Sequence, residues 1–178
     1  MADHRLSGIL LVGGASGRFG SPKALARFQG ETLAERAWRL LGEACDERLA
    51  VGKQADLLEL PFPLLDDESK VRAPLAGLVA GLRAAVHDVA VVIPVDMPRL
   101  SASDLRALAA ACREVAVVPS GPLPGAYRRS VLPVLEVALA EGRLRLRDVV
   151  RQFDSASVRL PAEALANVNT RNDLQRLE

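Results

Sequence analysis

The chain has 178 residues, 49% of them hydrophobic and 25% charged, with a net charge of +1. That length and apolar content suffice to bury a substantial core as one domain. The near-zero charge and the 3% aromatic content exclude a general nucleic-acid binder, which needs a basic face and stacking rings. Cys45 and Cys112 lie far apart in apolar helical contexts without metal spacing, and His4 and His87 form no cluster with them. They read as reduced core thiols rather than a zinc site. The apolar run Ile9 to Val12 is too short for a signal peptide, and nothing approaches transmembrane length. A cytoplasmic protein without membrane contact is expected.

In chain order, apolar β-type runs alternate with helical patterns. Strands are predicted over Ser7 to Val12, Arg48 to Val51, Pro63 to Leu65, Val89 to Ile93, Val115 to Pro119 and Ser157 to Leu160. Thr32 with Glu35 forms a capping box for a helix through Ala44, and Pro74 fits the first turn of one reaching about Val86. Ser101 and Asp104 start another that ends near Cys112, and Ser130 opens one that Gly142 closes. Thr170 with Asp173 caps the last. Such βαβα alternation predicts a Rossmann-like α/β fold, three layers deep, with a mostly parallel central sheet. Ser120 to Gly125, holding two prolines and two glycines, reads as a loop over the site or a bend toward an edge hairpin.

The most informative stretch is Leu10-Leu11-Val12-Gly13-Gly14-Ala15-Ser16-Gly17-Arg18-Phe19-Gly20-Ser21-Pro22-Lys23, an apolar strand emptying into a glycine-dense loop with two cations. Glycines let backbone N–H groups approach an anion closely, and Arg18 and Lys23 add full charge beside them. A polyphosphate ligand is expected. The loop is no Walker A motif, because Lys23 precedes Ala24 rather than Ser or Thr. Nor is it a dinucleotide fingerprint, since its first glycines are adjacent and Pro22 interrupts any helix starting there.

Two further landmarks follow. Val91-Val92-Ile93-Pro94-Val95-Asp96-Met97-Pro98 is an uncharged strand ending in a carboxylate, which places Asp96 on the same sheet edge as the glycine loop. There it suits Mg²⁺, which takes one or two carboxylates and completes its octahedron with phosphates and waters. Asn167-Val168-Asn169-Thr170 puts two amides on one side of an extended segment, able to complete a metal or phosphate shell without added charge.

The pattern G-G-x-S-x-R-F-G-x-P-K resembles the signature of the molybdenum cofactor guanylyltransferases, the MobA-like nucleotidyltransferases, written loosely as L-x-G-G-x-S-x-R-M-G-x-x-K. Phe19 replaces the usual Met, and Pro22 stands where guanylyltransferases commonly carry Asp. Asp96 matches the family's P-x-D-x-P metal site, and N-x-N-T at Asn167 to Thr170 resembles its C-terminal signature. Pro74-Leu75-Ala76-Gly77-Leu78 resembles its G-P-L-x-G element, with Ala73 in place of Gly. The resemblance spans nearly the whole chain and implies GMP transfer from GTP to molybdenum-loaded molybdopterin, with Mg²⁺ as cofactor. It assigns catalysis to Arg18, Lys23 and Asp96, and metal binding to Asp96, Asn167 and Asn169. Nucleotide contacts fall on Leu11, Val12, Gly13, Gly14, Lys23, Gly52, Pro74, Leu75, Gly77 and Asp96, with Asp66 or Asp67 as the acid that meets the nucleotide. Gly52 stands where relatives usually have Asn. The nucleotide-binding half is expected over about 1–98 and the acceptor half over about 99–178, where Arg128, Arg145 and Arg147 are acceptor candidates. Transient contact with other cofactor-biosynthesis or acceptor proteins is also implied.

Three other readings stay open. Pro22-Lys23 looks more like the cytidylyltransferase branch acting on the same cofactor. A sugar-phosphate nucleotidyltransferase shares the reaction class. The departures at Pro22, Gly52 and Ala73 also suit a nucleotide-binding protein without turnover. No nucleophile–base constellation is visible, and Ser16 in G-A-S-G is not a nucleophile elbow.

Overall fold

A computed structural model describes residues 5–13 and 22–177. The first strand, β1 (Leu6–Val12), sets the architecture, because its alternating side chains enter two different cores. Leu10 and Val12 join Leu41, Leu105 and Leu108 on one face, while Ile9 and Leu11 join Leu75, Leu78, Leu82 and Leu135 on the other. An apolar run without polar alternation is what a strand covered on both faces requires.

After a short hairpin of β2 (Arg27–Phe28) and β3 (Glu31–Thr32), α1 (Leu33–Ala44) begins at the predicted capping box. Thr32 Oγ1 accepts from the Glu35 N–H at 3.1 Å, and Glu35 Oε2 accepts from the Thr32 N–H at 2.8 Å. Then come β4 (Glu47–Gly52), β5 (Leu64–Asp66), α2 (Pro74–Ala84) with proline in its first turn, and β6 (Val89–Pro94). The second half holds α3 (Ala102–Ala111), β7 (Val115–Val118), β8 (Gly121–Arg128), α4 (Leu132–Ala140), α5 (Leu146–Val150), β9 (Ser155–Ser157) and α6 (Arg171–Leu177).

The main sheet runs β5-β4-β1-β6-β8-β7-β9. It is mostly parallel; only β8 runs against its two neighbours. Helices α1 and α3 cover one face, and α2, α4 and α5 cover the other, giving three layers. Close layering of α2 on β1 depends on small residues: an added Cβ at Gly77 would lie 2.9 Å from Leu11, and one at Gly81 2.7 Å from Ile9.

The stretch Ser120 to Gly125 differs from expectation. After a turn at Ser120 it enters β8 at Gly121, which forms a hairpin with β7 as the bend suggested. The hairpin places β8 inside the sheet between β6 and β7 rather than at its edge, and Leu123 lines the cleft at the strand ends. The register explains how prolines are tolerated there. Gly121 pairs with Val118 and Gly125 with Val117, so Pro122 to Pro124 bulge out of the ladder, and regular pairing with β6 starts only at Gly125. A Cβ at Gly125 would lie 2.6 Å from the Pro122 carbonyl oxygen, so the bulge closes only over glycine. Buried Tyr127 ties it down, its hydroxyl donating to the Pro122 oxygen at 2.5 Å. Smaller differences are β9, which lies two residues earlier than predicted, and α4, which begins at Leu132 after a turn over Arg129–Val131. No helix among the described residues is long and apolar enough to cross a membrane.

Candidate active site

The carboxyl ends of β1, β4 and β6 meet at a cleft of about 540 Å³. Open α/β sheets bind ligands at this edge. One wall carries Leu11, Val12, Gly13, Pro94, Val95 and Asp96; the other carries Gly52, Lys53, Asp67, Arg72, Pro74 and Gly77. The two approach so closely that a Cβ on Gly52 would lie 2.2 Å from the Val12 carbonyl oxygen. Glycine therefore stands at position 52 for lack of space, and β4 comes against β1 with no side chain between.

Lys23, in a single helical turn directly after Pro22, reaches across the mouth. Its Nζ donates to Asp96 Oδ2 at 3.1 Å and to Asn169 Oδ1 at 3.3 Å, with both ends of the ion pair about a fifth exposed. Residues 73 and 146 positions apart in sequence thus converge on one ammonium. The C-terminal segment is seated by the backbone: the Val168 N–H donates to the Asp96 carbonyl oxygen at 2.8 Å, and the buried Val168 side chain packs with Phe28, Leu33 and Leu174. Asp173 then caps α6, accepting from the Asn169 and Thr170 N–H groups at 2.9 and 2.7 Å. These hydrogen bonds, led by that from Asn169, hold its carboxyl below the usual range.

Two hard oxygens, Asp96 Oδ2 and Asn169 Oδ1, already flank a cation in the form of the Lys23 ammonium. That donor chemistry fits a magnesium ion. Asn167 is exposed and, among the described residues, makes no hydrogen bond to this pair. Arg18 and Gly14 lie outside the described residues, as does His4.

The opposite wall separates the two acids left open by the sequence. Asp66 accepts from the Gln54 and Glu68 N–H groups at 2.8 and 2.7 Å, which hold its carboxyl below the usual range, and it lies outside the cleft lining. Asp67 lines the cleft and pairs with Lys53. At the rim, Arg72 grips Asp56 through two bonds of 3.0 and 2.6 Å, and this guanidinium lowers the Asp56 carboxyl. Leu75, expected among the nucleotide contacts, is fully buried and packs its side chain into the core of the α2 face. Arg128 faces the other end of the sheet, where it pairs with Asp88 and donates to the Arg113 carbonyl oxygen. Arg147 stays on the cleft edge, donating to the Ser120 carbonyl oxygen. Lys53, Asp56 and Arg72 carried no motif; the place of Lys53 directly after a strand end was the one signal that pointed to the cleft.

Residues 8–158 match the family described as the MobA-like NTP transferase domain. The chain is 34% identical to a protein of Chloroflexus aggregans, over 97% of this chain and 93% of that one. It is 36% identical to one of Opitutus terrae, over 96% and 94%. Each is named "Probable molybdenum cofactor guanylyltransferase". Molybdopterin-guanine dinucleotide biosynthesis protein A of Archaeoglobus fulgidus superposes with a TM-score of 0.79 at 25% identity, covering 97% of this chain and 96% of that one. A 2-C-methyl-D-erythritol 4-phosphate cytidylyltransferase of Thermus thermophilus shares the fold at a TM-score of 0.73 and 19% identity, with 95% of each chain covered. Strand-end glycines, a lysine and a carboxylate on one sheet edge therefore stand within a likeness that runs almost the length of the chain, and the chain belongs to the MobA-like NTP transferase family.

Proposed function

We propose that this chain is a molybdenum cofactor guanylyltransferase, which moves GMP from GTP onto the terminal phosphate of molybdenum-loaded molybdopterin and releases pyrophosphate. The observation that carries the reading is the convergence of Lys23, Asp96 and Asn169 at the mouth of the strand-end cleft. It is supported by relatives that bear this name.

The chemistry follows from the groups present. An acceptor phosphate oxygen bonds to the α-phosphorus as the bond to the bridging oxygen of the β-phosphate breaks, and pyrophosphate leaves with the electron pair. A phosphate nucleophile is already ionised near neutral pH, so no protein base is required. Accordingly, the one described histidine, His87, stands before β6 at the end of the sheet away from the cleft. Lys23 supplies positive charge to the phosphate oxygens, and Arg18 of the glycine loop adds a second. Gly13 and Gly14 give backbone access to the phosphates, and Pro74 and Gly77 bring the start of α2 to the nucleoside. Asp96, with Asn167 and Asn169, would hold a Mg²⁺ ion, which when bound neutralises charge that gathers on the phosphates. The acceptor enters from the side of residues 99–178, where Arg145 and Arg147 are the candidate cations for its phosphate.

Asp96→Ala tests the assignment. GMP transfer is expected to fall at least about a hundredfold, the scale of losing a main electrostatic group. Nucleotide affinity without metal should persist. Turnover equal to that of the unaltered protein would remove Asp96 from this role.

A further inference from the structure

The cleft contains a second ion pair that phosphate transfer leaves unused. Lys53 Nζ lies 2.5 Å from Asp67 Oδ1 and also donates to the Ser69 carbonyl oxygen. Both side chains are largely buried, with 13% of Lys53 and 8% of Asp67 exposed, so solvent screens the pair little. Asp67 Oδ1 also accepts from the Ser69 N–H at 2.9 Å, and the Asp67 N–H donates to the Gly52 carbonyl oxygen at 3.0 Å. One carboxylate oxygen is thus fully committed. Among the described residues the other, Oδ2, takes no hydrogen bond, although Asp67 lines the cleft.

The pair also belongs to a different wall of the cleft from the Lys23–Asp96 pair. Lys23 and Asp96 occupy the wall built by β1 and β6, whereas Lys53 and Asp67 belong to the wall of β4, β5 and the start of α2. With the phosphates at the first wall, the nucleobase meets the second. We infer that Lys53 is a positioning residue for base selection, holding Asp67 by Oδ1 so that Oδ2 is presented to the donor edge of the base. This rests on the guanylyltransferase reading. Guanine offers two neighbouring donors there, N1–H and the exocyclic amine, and a carboxylate on a short side chain discriminates only if it cannot pivot. The buried ammonium prevents the pivot by fixing both the carboxylate and the Ser69 carbonyl of the following loop.

The test is equilibrium binding of GTP and of inosine triphosphate, which lacks the exocyclic amine, to the full chain and to Lys53→Met, Lys53→Gln, Asp67→Asn and the Lys53→Met/Asp67→Asn double variant. A hydrogen bond to a charged group is worth about 1.5–3 kcal/mol, so the unaltered protein should favour GTP by about 10-fold or more. In both Lys53 variants that ratio should drop to about 2-fold while inosine triphosphate affinity stays within about 3-fold, which also certifies that the variant is folded. The double variant should match Asp67→Asn alone, because Lys53 acts through Asp67. An unchanged ratio in either folded Lys53 variant overturns the inference. So do equal losses for both nucleotides, which would place Lys53 on the phosphates. An unaltered protein that binds both nucleotides equally would overturn this inference while leaving GMP transfer from GTP standing, because inosine keeps the N1–H of guanine.

Discussion

At the scale of single residues, the two cysteines behave as apolar core groups whose chemistry is suppressed by burial. Desolvation, reinforced by nearby Asp46, pushes the Cys45 thiol up to about 12, and desolvation pushes Cys112 up to about 11. An acid whose pKa is raised by folding contributes stability in full below its unfolded value, here 9.0, and loses that contribution as pH rises through its folded value. Stability should therefore decline in alkali, because the unfolded chain loses thiol protons that the native one retains. Urea midpoints measured at about pH 8 and about pH 10 should fall further for the unaltered protein than for Cys45→Ala, in line with the linkage slope. Equal falls would show that Cys45 titrates normally in the native state. The site cations contrast with these thiols. Lys23 and Lys53 each sit against a carboxylate, and that partnership makes a charge tolerable in a cleft.

At the scale of elements, the site depends on β4 approaching β1 with nothing between them. Gly52→Ala would set a methyl 2.2 Å from the Val12 carbonyl oxygen, a backbone atom that cannot rotate away. The expected cost is about 1–3 kcal/mol in denaturant unfolding, together with weaker nucleotide binding as the cleft walls part. A loss below ~0.5 kcal/mol would mean that the strand ends are looser than described. Elements built from local rules were legible in the sequence: the Thr32–Glu35 and Ser101–Asp104 boxes begin α1 and α3 where expected, and the uncharged runs of β1 and β6 lie in the sheet interior. Those formed by tertiary pairing were not. The regular part of β8 is the short run Gly125 to Arg128, hidden behind a bulge whose prolines mimic a loop. Helix α5 is only five residues long and carries no side-chain cap. In the site, Asp96 stood out because it ends an apolar strand. Lys53 and Asp67 did not stand out as a pair, since they meet only after β5 aligns beside β4 with Gly52 opposite Asp66.

At the scale of the molecule, one sheet edge unites chain segments from residue 11 to residue 169, so that the cleft lining, the Lys23–Asp96 ion pair and Asn169 converge there. The strand order makes this possible. With β1 flanked by β4 on one side and β6 on the other, Val12 ends its strand between the end of β4 and the end of β6 that leads to Asp96. The C-terminal segment is then drawn back across the β6 end by the Val168 hydrogen bond and its small apolar cluster, which brings Asn169 to the cleft from the opposite end of the chain. Reading this convergence as guanylyl transfer makes one measurement decisive. Pyrophosphate release should be followed with the purified protein, Mg²⁺ and molybdenum-loaded molybdopterin, with GTP, CTP, ATP and UTP offered in parallel. Release with GTP, dependent on the acceptor and absent with the other three, is the expected result. Release with CTP instead would move the chain to the cytidylyltransferase branch, and silence with all four nucleotides from protein that binds a triphosphate would contradict guanylyl transfer to this acceptor.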